Sequence, residues 1–199
     1  MAKRMSDLFL ANIEKFHSDN LYIPTRTIYF GGTNLLDEDP DEVNCKTAGQ
    51  LIKNLHILEA KEKAPISILL NTPGGSWEDG IAIYDLIKKT KSKITIIGMG
   101  KLYSMGSIIL QAADKRMLLP NTIVMIHDGA DGFSGDAKSY ENWAEFSKHV
   151  RKTMYKIYYD NMKKKKTKIT LKDIEDMCAH DNWFTAKEAI KIGLADRIM

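Results

Sequence analysis

Three polar side chains that could form a nucleophile, base and acid set lie far apart in the sequence. Ser104 follows the glycine-bearing run 98–103, where a strand pattern gives way to an apolar helix pattern whose N-terminus offers free N–H groups. His127 closes the apolar strand pattern 123–126, a position where α/β sheets gather functional groups, and an imidazole can act as a general base near neutral pH. Asp181 could hold such an imidazole in one tautomer. Each residue also has an ordinary interpretation, as a helix cap, a structural histidine or a loop carboxylate.

A glycine-rich turn over 71–75 supplies a fourth element of the same chemistry. Its two consecutive glycines, Gly74 and Gly75, follow a predicted strand and would let backbone N–H groups approach a ligand closely. Donors fixed in this way can stabilise the oxyanion of acyl transfer, although a plain Pro-Gly turn explains the same residues. Two competitors stay open on pattern alone: His180 as the base, and Lys101 as the base of a Ser-Lys pair.

Composition excludes several other classes. The two cysteines, Cys45 and Cys178, form no metal-binding spacing, so we expect reduced thiols, no metal and no cofactor. The net charge of +3 is too small to indicate nucleic acid, and the lysine run 163–166 is typical of a solvated helix end. The apolar runs are too short to cross a bilayer and no secretory segment is present, so we expect a cytoplasmic protein without a membrane partner.

Strand and helix patterns alternate through the middle of the chain. This alternation predicts an α/β fold with a mostly parallel sheet and helices on its faces. Strands are predicted over 27–30, 66–70, 94–97, 117–119 and 122–126, the third being followed by a break over 98–100. Helices are predicted over 6–18, from a turn at 37–41 to about 60, and over 78–89, 104–113, 136–165, 171–177 and 185–193.

The predicted helix 136–165 is unusually long for a chain of 199 residues. Thirty helical residues span about 45 Å. Its apolar stripe comprises Trp143, Phe146, Val150, Met154 and Ile157. Such a stripe needs a surface to pack against, and a partner subunit is a natural one.

The order and spacing of six segments resemble the Clp protease proteolytic subunit, over about residues 26–197. The segments are Asn-Thr-Pro-Gly-Gly at 71–75, Tyr-Ser-Met-Gly at 103–106, the strand that leads from Leu119 to His127, the glycine-bearing run 132–137, the run 181–189 and Gly-Leu-Ala-Asp at 193–196. The resemblance implies a serine endopeptidase that hydrolyses unfolded or extended polypeptides. It implies Ser104 as nucleophile, His127 as base and Asp181 as the third member. It also implies that the N–H groups of Gly75 and Met105 form the oxyanion hole.

The same resemblance implies a crotonase-like ββα spiral with a protruding handle helix, here 136–165. An N-terminal segment 1–25 would precede a single peptidase domain, 26–199. The family assembles as a homo-oligomeric ring, a heptamer or double heptamer, whose handle helices interleave and whose chamber receives chains from an ATPase unfoldase. Ser67 and Leu69 replace aromatics that help form the ATPase docking pocket in bacterial members, which argues against that partner here.

Two further differences and two alternatives remain. Leu102 and Tyr103 precede the serine where the family prefers small residues, so altered access to Ser104 is expected. Asp128 follows the histidine where the family has glutamine. The alternatives are an acyl-CoA-binding crotonase-like enzyme, which would need no Ser-His-Asp set, and an inactive structural subunit.

Overall fold

A mixed β-sheet forms the centre of the fold. The structure is a computed structural model that describes residues 2–32, 41–130, 132–166 and 168–199 of the chain. Within these ranges the sheet has eight strands. They are β1 (Leu21–Tyr22), β2 (Thr27–Phe30), β3 (Ile66–Thr72), β4 (Ile94–Tyr103), β5 (Lys115–Leu118), β6 (Ile123–Ile126), β7 (Asn182–Thr185) and β8 (Arg197–Ile198). Along the order β1-β2-β3-β4-β5-β8, neighbouring strands pair in parallel, except that β1 is antiparallel to β2.

The far end of β4 carries a second branch of the sheet. There β6 pairs parallel to β4, with Lys101 opposite Ile123 and Tyr103 opposite Met125. Strand β7 then pairs antiparallel to β6, with Ile126 opposite Asn182. This register places the residues that follow β4 and β6, and the residue that precedes β7, at one edge of the sheet.

Seven α-helices in the described ranges cover the sheet. They are α1 (Ala2–Asp19), α2 (Cys45–Lys61), α3 (Trp77–Lys89), α4 (Met105–Leu110), α5 (Ala137–Met162), α6 (Leu171–Cys178) and α7 (Ala186–Ile192). Side-chain caps define several starts: Asn44, Thr170 and Thr185 each form a capping box with the residue three positions on. Thr170 and Thr185 thus mark the starts of the last two helices that the sequence predicts.

The core lies where the parallel strands meet α2, α3 and α4. Along β3, Ile66, Ile68 and Leu70 are fully buried while Ser67 and Leu69 are half-buried, the period of two expected for a strand with one face on the core. Helix α4 is buried at every position, as its apolar sequence predicted, although it ends at Leu110 rather than at 113.

The predicted break at 98–100 is wrong, because β4 continues through it to Tyr103. The strand accommodates the glycines by a register shift against β3 between Leu70 and Thr72. Gly100 has φ +62°, and the Asn71 side chain accepts the N–H of Lys101 at 3.1 Å across this irregularity. Local glycine content therefore marked a bulge rather than the end of a strand.

Other boundaries also differ from the sequence predictions. The short strands β1, β7 and β8 were not predicted, because two to four residues carry too little periodicity. The predicted turn at 37–41 lies mostly outside the described residues, and the helix after it begins at Cys45. The division at residue 25 stays a prediction.

Helix α5 divides into a buried half and an exposed half. Met154, Ile157 and Tyr158 are buried against the rest of the chain. Nearer the N-terminus, Tyr140 and Phe146 are each 54% exposed. The predicted stripe is thus covered within the chain only over its C-terminal part. In the described ranges, no helix combines the length and apolar character needed to span a membrane.

Candidate active site

Ser104 occupies a strained turn between β4 and α4. Its backbone has φ +51° and ψ −121°, a region that non-glycine residues rarely adopt. The Ser104 N–H donates to the carbonyl of Met125 at 2.9 Å, and the Ser104 carbonyl accepts the N–H of Ser107 at 3.0 Å. Ser104 stands at the N-cap position of α4, but its hydroxyl makes no capping hydrogen bond, so capping does not explain the serine. A sharp strand-to-helix turn of this kind presents a serine hydroxyl to its surroundings.

His127 lies within hydrogen-bond distance of the Ser104 hydroxyl. The Ser104 Oγ lies 2.8 Å from His127 Nε2, and His127 Nδ1 lies 2.9 Å from an Asp181 carboxylate oxygen. The histidine follows β6 and the aspartate precedes β7, so the antiparallel β6–β7 pair holds them together. The side chain of His127 is 23% exposed and that of Asp181 is 57% exposed. All three predicted side chains therefore meet in one hydrogen-bonded relay.

The predicted oxyanion donors flank the same serine. A Cβ atom at Gly74, where φ is +105°, would lie 3.0 Å from the backbone nitrogen of Met105, so the glycine turn passes directly against the serine turn. Met105 is the first residue of α4, and its N–H has no acceptor inside the helix. Gly75 forms a bridge to Val43 that uses the N–H groups of Val43 and Ser76. The bridge does not use the Gly75 N–H, and Gly75 lines the same cavity as Ser104 and Met105.

A cavity of about 460 Å³ opens over the serine and the histidine. One wall is the glycine turn with the start of α3, and the opposite wall is α5. The apolar and aromatic members of its lining are Pro73, Trp77, Met105, Ile108, Met125, Ala130, Trp143, Phe146, Val150 and Met154. Three charged side chains, those of Glu78, Asp128 and Arg151, also line it. The cavity can take an apolar group next to the serine hydroxyl.

Comparison with known proteins identifies the family. The family model described as Clp protease matches residues 38–199. An ATP-dependent Clp protease proteolytic subunit of Deinococcus radiodurans is 34% identical over 160 residues, which cover 79% of this chain and 76% of that protein. The ATP-dependent Clp protease proteolytic subunit 1 of Leifsonia xyli subsp. xyli is 32% identical over 160 residues, 79% of each chain. The chain belongs to the Clp protease family.

Membership of the Clp protease family confirms the predicted fold class, since the central sheet with flanking helices is the α/β arrangement expected of it. Leu102 and Tyr103 were expected to alter access to Ser104, but the structure places both side chains away from the cavity. Leu102 is fully buried, and Tyr103 packs edge-on against Trp183 with ring centroids 4.8 Å apart. Neither residue is part of the cavity lining, so these large side chains leave the approach to Ser104 open.

The competing residues are occupied elsewhere or exposed. Lys101 Nζ forms an ion pair with Asp41 at 2.5 Å. His180 is exposed, and the contact to the serine is made by His127. Burial, followed by the charge of Asp128, raises the pKa of Cys178 to about 12, so this thiol stays protonated and unreactive at neutral pH. Cys45 is exposed.

Sequence reasoning missed a set of polar contacts around this Clp-type site. Tyr155 donates to Asp128, the residue after His127, at 2.7 Å, and the Tyr158 hydroxyl lies 2.6 Å from Ser107 Oγ. The only available signal was two tyrosines three residues apart, on one face of a mostly polar helix. That spacing fits an ordinary packing stripe equally well.

Proposed function

We propose that this chain is a serine endopeptidase that cleaves unfolded or extended polypeptides through Ser104, His127 and Asp181. The Clp protease relatives support a serine peptidase. The observation that carries the residue assignment is the continuous relay from the Ser104 hydroxyl through His127 to Asp181, with distances of 2.8 and 2.9 Å. Three side chains separated by up to 77 positions meet in the order that acyl transfer requires.

The proposed reaction is hydrolysis by a covalent intermediate. His127 Nε2 takes the hydroxyl proton as Ser104 Oγ attacks the scissile carbonyl, and the imidazolium then protonates the leaving amine. Asp181 accepts the Nδ1–H and stabilises the imidazolium without taking its proton. A water molecule, deprotonated by His127, releases the acyl group from Ser104. No metal or organic cofactor takes part.

The oxyanion of each tetrahedral intermediate would be held by the N–H groups of Gly75 and Met105. The close approach of the glycine turn to the serine turn supports this pairing. Removing one donor from an oxyanion hole typically costs about 2.7–4 kcal/mol of transition-state stabilisation. Backbone donors have the advantage that the fold fixes their direction before the substrate arrives.

The substrate is an extended polypeptide. After His127 the chain runs without helix or strand structure through Gly129 and Ala130, and both residues are exposed and line the cavity. An extended substrate can pair with such a backbone segment as an added strand. The apolar cavity beside Ser104 would then hold the side chain next to the cleaved bond.

The proposed assembly is a homo-oligomeric ring, as a heptamer or double heptamer. The exposed aromatic groups of α5, including Tyr140 and Phe146, support burial against another subunit. Both relatives are named ATP-dependent, so binding of an ATPase partner is tested for this chain as well. Leu69 lines a depression of about 370 Å³ together with Phe16, Tyr29 and Met99, next to α1. Mass photometry with and without a candidate unfoldase measures both the ring size and this partnership.

The decisive experiment is covalent labelling with a fluorophosphonate probe. The wild-type chain should carry one probe on Ser104, found by mass spectrometry of the digest, and Ser104→Ala should remain unlabelled. Ser67→Ala, a serine outside the cavity, should be labelled at the wild-type rate. Labelling that persists in the Ser104→Ala variant would show that Ser104 is not the nucleophile. Acyl-CoA binding by a chain that the probe never labels would instead indicate the hydratase-like alternative, and an assembled ring without labelling would indicate a structural subunit.

A further inference from the structure

Helix α5 is connected to both ends of the Ser104–His127 hydrogen bond through the hydroxyls of two tyrosines, each by way of one intervening residue. Tyr155 and Tyr158 are three residues apart, so their side chains share one face of the helix. Tyr158 reaches Ser107 in α4, whose hydroxyl bonds to the Ser104 carbonyl, and Tyr155 reaches Asp128, the residue after His127. The nucleophile and the base follow different strands, and these two contacts connect both to a single helix.

The Tyr158 contact continues to the backbone of the nucleophile. Ser107 Oγ donates to the Ser104 carbonyl at 2.7 Å, and the same Oγ lies 2.6 Å from the Tyr158 hydroxyl. A serine hydroxyl has a single proton, so Tyr158 is the donor to Ser107 in this chain of hydrogen bonds. Tyr158 is fully buried, and burial raises its pKa far above the ordinary value of 10.0, which keeps the donor protonated.

The strain at Ser104 explains why such support is needed. Its φ of +51° costs on the order of 1–3 kcal/mol and persists only where the surroundings fix it. Ser107 holds the Ser104 carbonyl through both its N–H and its hydroxyl. Tyr158 fixes the orientation of that hydroxyl.

The Tyr155 contact acts on the base. Tyr155 donates to the Asp128 carboxylate at 2.7 Å, and the Asp128 N–H donates to the carbonyl of Cys178 at 2.7 Å. Asp128 is therefore held through its side chain by α5 and through its backbone by the end of α6. Because Asp128 directly follows His127, these bonds fix the direction in which the chain leaves the imidazole.

We propose that Tyr155 and Tyr158 are positioning residues that keep His127 and Ser104 within hydrogen-bond reach, so that the placement of α5 sets how well the serine is activated. This inference rests on the proposed function. Neither tyrosine is part of the cavity lining, so a substrate in the cavity does not contact them. Their loss should reduce the rate of acylation and leave substrate binding unchanged.

The test removes one oxygen atom at a time from α5. Tyr155→Phe and Tyr158→Phe should each lower the fluorophosphonate acylation rate and the kcat for an extended peptide about 2- to 10-fold, with KM unchanged, the range that one lost hydrogen bond gives. The matched control is Tyr159→Phe on the same helix, whose hydroxyl accepts from the exposed Lys163 at 2.6 Å. Tyr159→Phe should keep the wild-type kcat. If both test variants match Tyr159→Phe in rate, the inference is wrong.

Two further variants separate positioning from loss of structure. Ser107→Ala breaks the Tyr158 connection from the other side and should lower kcat at least as much as Tyr158→Phe, because it also removes the hydroxyl bond to the Ser104 carbonyl. In a double-mutant cycle, Tyr155→Phe combined with Asp128→Ala should lose no more rate than Asp128→Ala alone. Each substitution removes the same hydrogen bond, so the second cannot remove it again. Losses that multiply in that cycle overturn the Tyr155 part. Thermal midpoints are measured alongside, and a fall in midpoint with an unchanged rate per folded molecule also overturns the inference. Labelling of Ser104→Ala would refute the proposed function by itself, whatever the tyrosine variants do.

Discussion

Gly74→Ala is expected to separate catalysis from folding, because the added methyl group would press on the serine turn. A Cβ atom at this position would lie 2.7 Å from Ser104 Cβ, about 0.7 Å inside the 3.4 Å at which ordinary van der Waals contact begins. It would also lie 2.8 Å from the Tyr103 carbonyl oxygen and 3.0 Å from the Met105 nitrogen. The two turns must separate by several tenths of an ångström, and both proposed oxyanion donors lie next to this contact.

The expected cost has a conformational part and a catalytic part. Gly74 has φ +105°, a conformation that alanine adopts only at a cost of about 1–3 kcal/mol of folding stability. A misplacement of about 1 Å at reacting groups can cost about 10²-fold in rate, so a shift of several tenths predicts a loss of roughly 10- to 100-fold. The rate of acylation should fall far more than the population of folded protein.

The assay is the second-order rate of fluorophosphonate labelling, measured beside the urea midpoint of the same sample. Gly193→Ala is the matched control: its φ is +93° and its Cβ would lie 3.1 Å from Met162, so it shares the backbone strain without touching the serine turn. It should lose stability and keep the labelling rate per folded molecule. Wild-type labelling by Gly74→Ala would refute the placement of the glycine turn against the nucleophile.

Three other predictions test the remaining parts of the site and the fold. Asp181→Asn should lower kcat by about 10²- to 10⁴-fold, because the amide cannot stabilise the imidazolium of His127; steady-state cleavage of an extended peptide measures this, and a change under threefold would speak against the assignment. Lys101→Ala should keep the labelling rate, since its ammonium pairs with an aspartate, and a tenfold loss would favour a Ser-Lys pair. Burial raises the pKa of Asp196, but the hydrogen bonds and charge of Arg116 outweigh it and leave the pKa below its ordinary 3.8. A carboxylate with a depressed folded-state pKa stabilises fully above about pH 5 and loses that contribution as the pH falls through 3.8 and below. Urea unfolding between pH 7 and pH 3 should therefore show a shallower acid loss in Asp196→Asn than in the wild type, and equal slopes would contradict the linkage.

The strand and helix pattern was predictable wherever an element is long enough to show its period. Helix α5 and strand β3 each carry a clear repeat, and the cap at Thr185 was visible from Glu188 three residues later. Strands β7 and β8 were missed because they are short and their pairing partners are distant in sequence. The glycines at 98–100 were misread as a strand end, because a bulge and a break have the same local composition.

The amino-acid sequence by itself determined which side chains could take part in the chemistry: a serine at a strand-to-helix turn, a histidine at the end of a strand, a glycine turn, and a motif order that fixed the family. Only the tertiary structure decided which of the two histidines near these motifs meets Ser104, and that Tyr155 and Tyr158 connect α5 to the relay. The physical reason is range. Periodicity and caps depend on neighbours three or four residues away, whereas the relay depends on the register of β4, β6 and β7, which brings residues 23 and 54 positions apart within 3 Å.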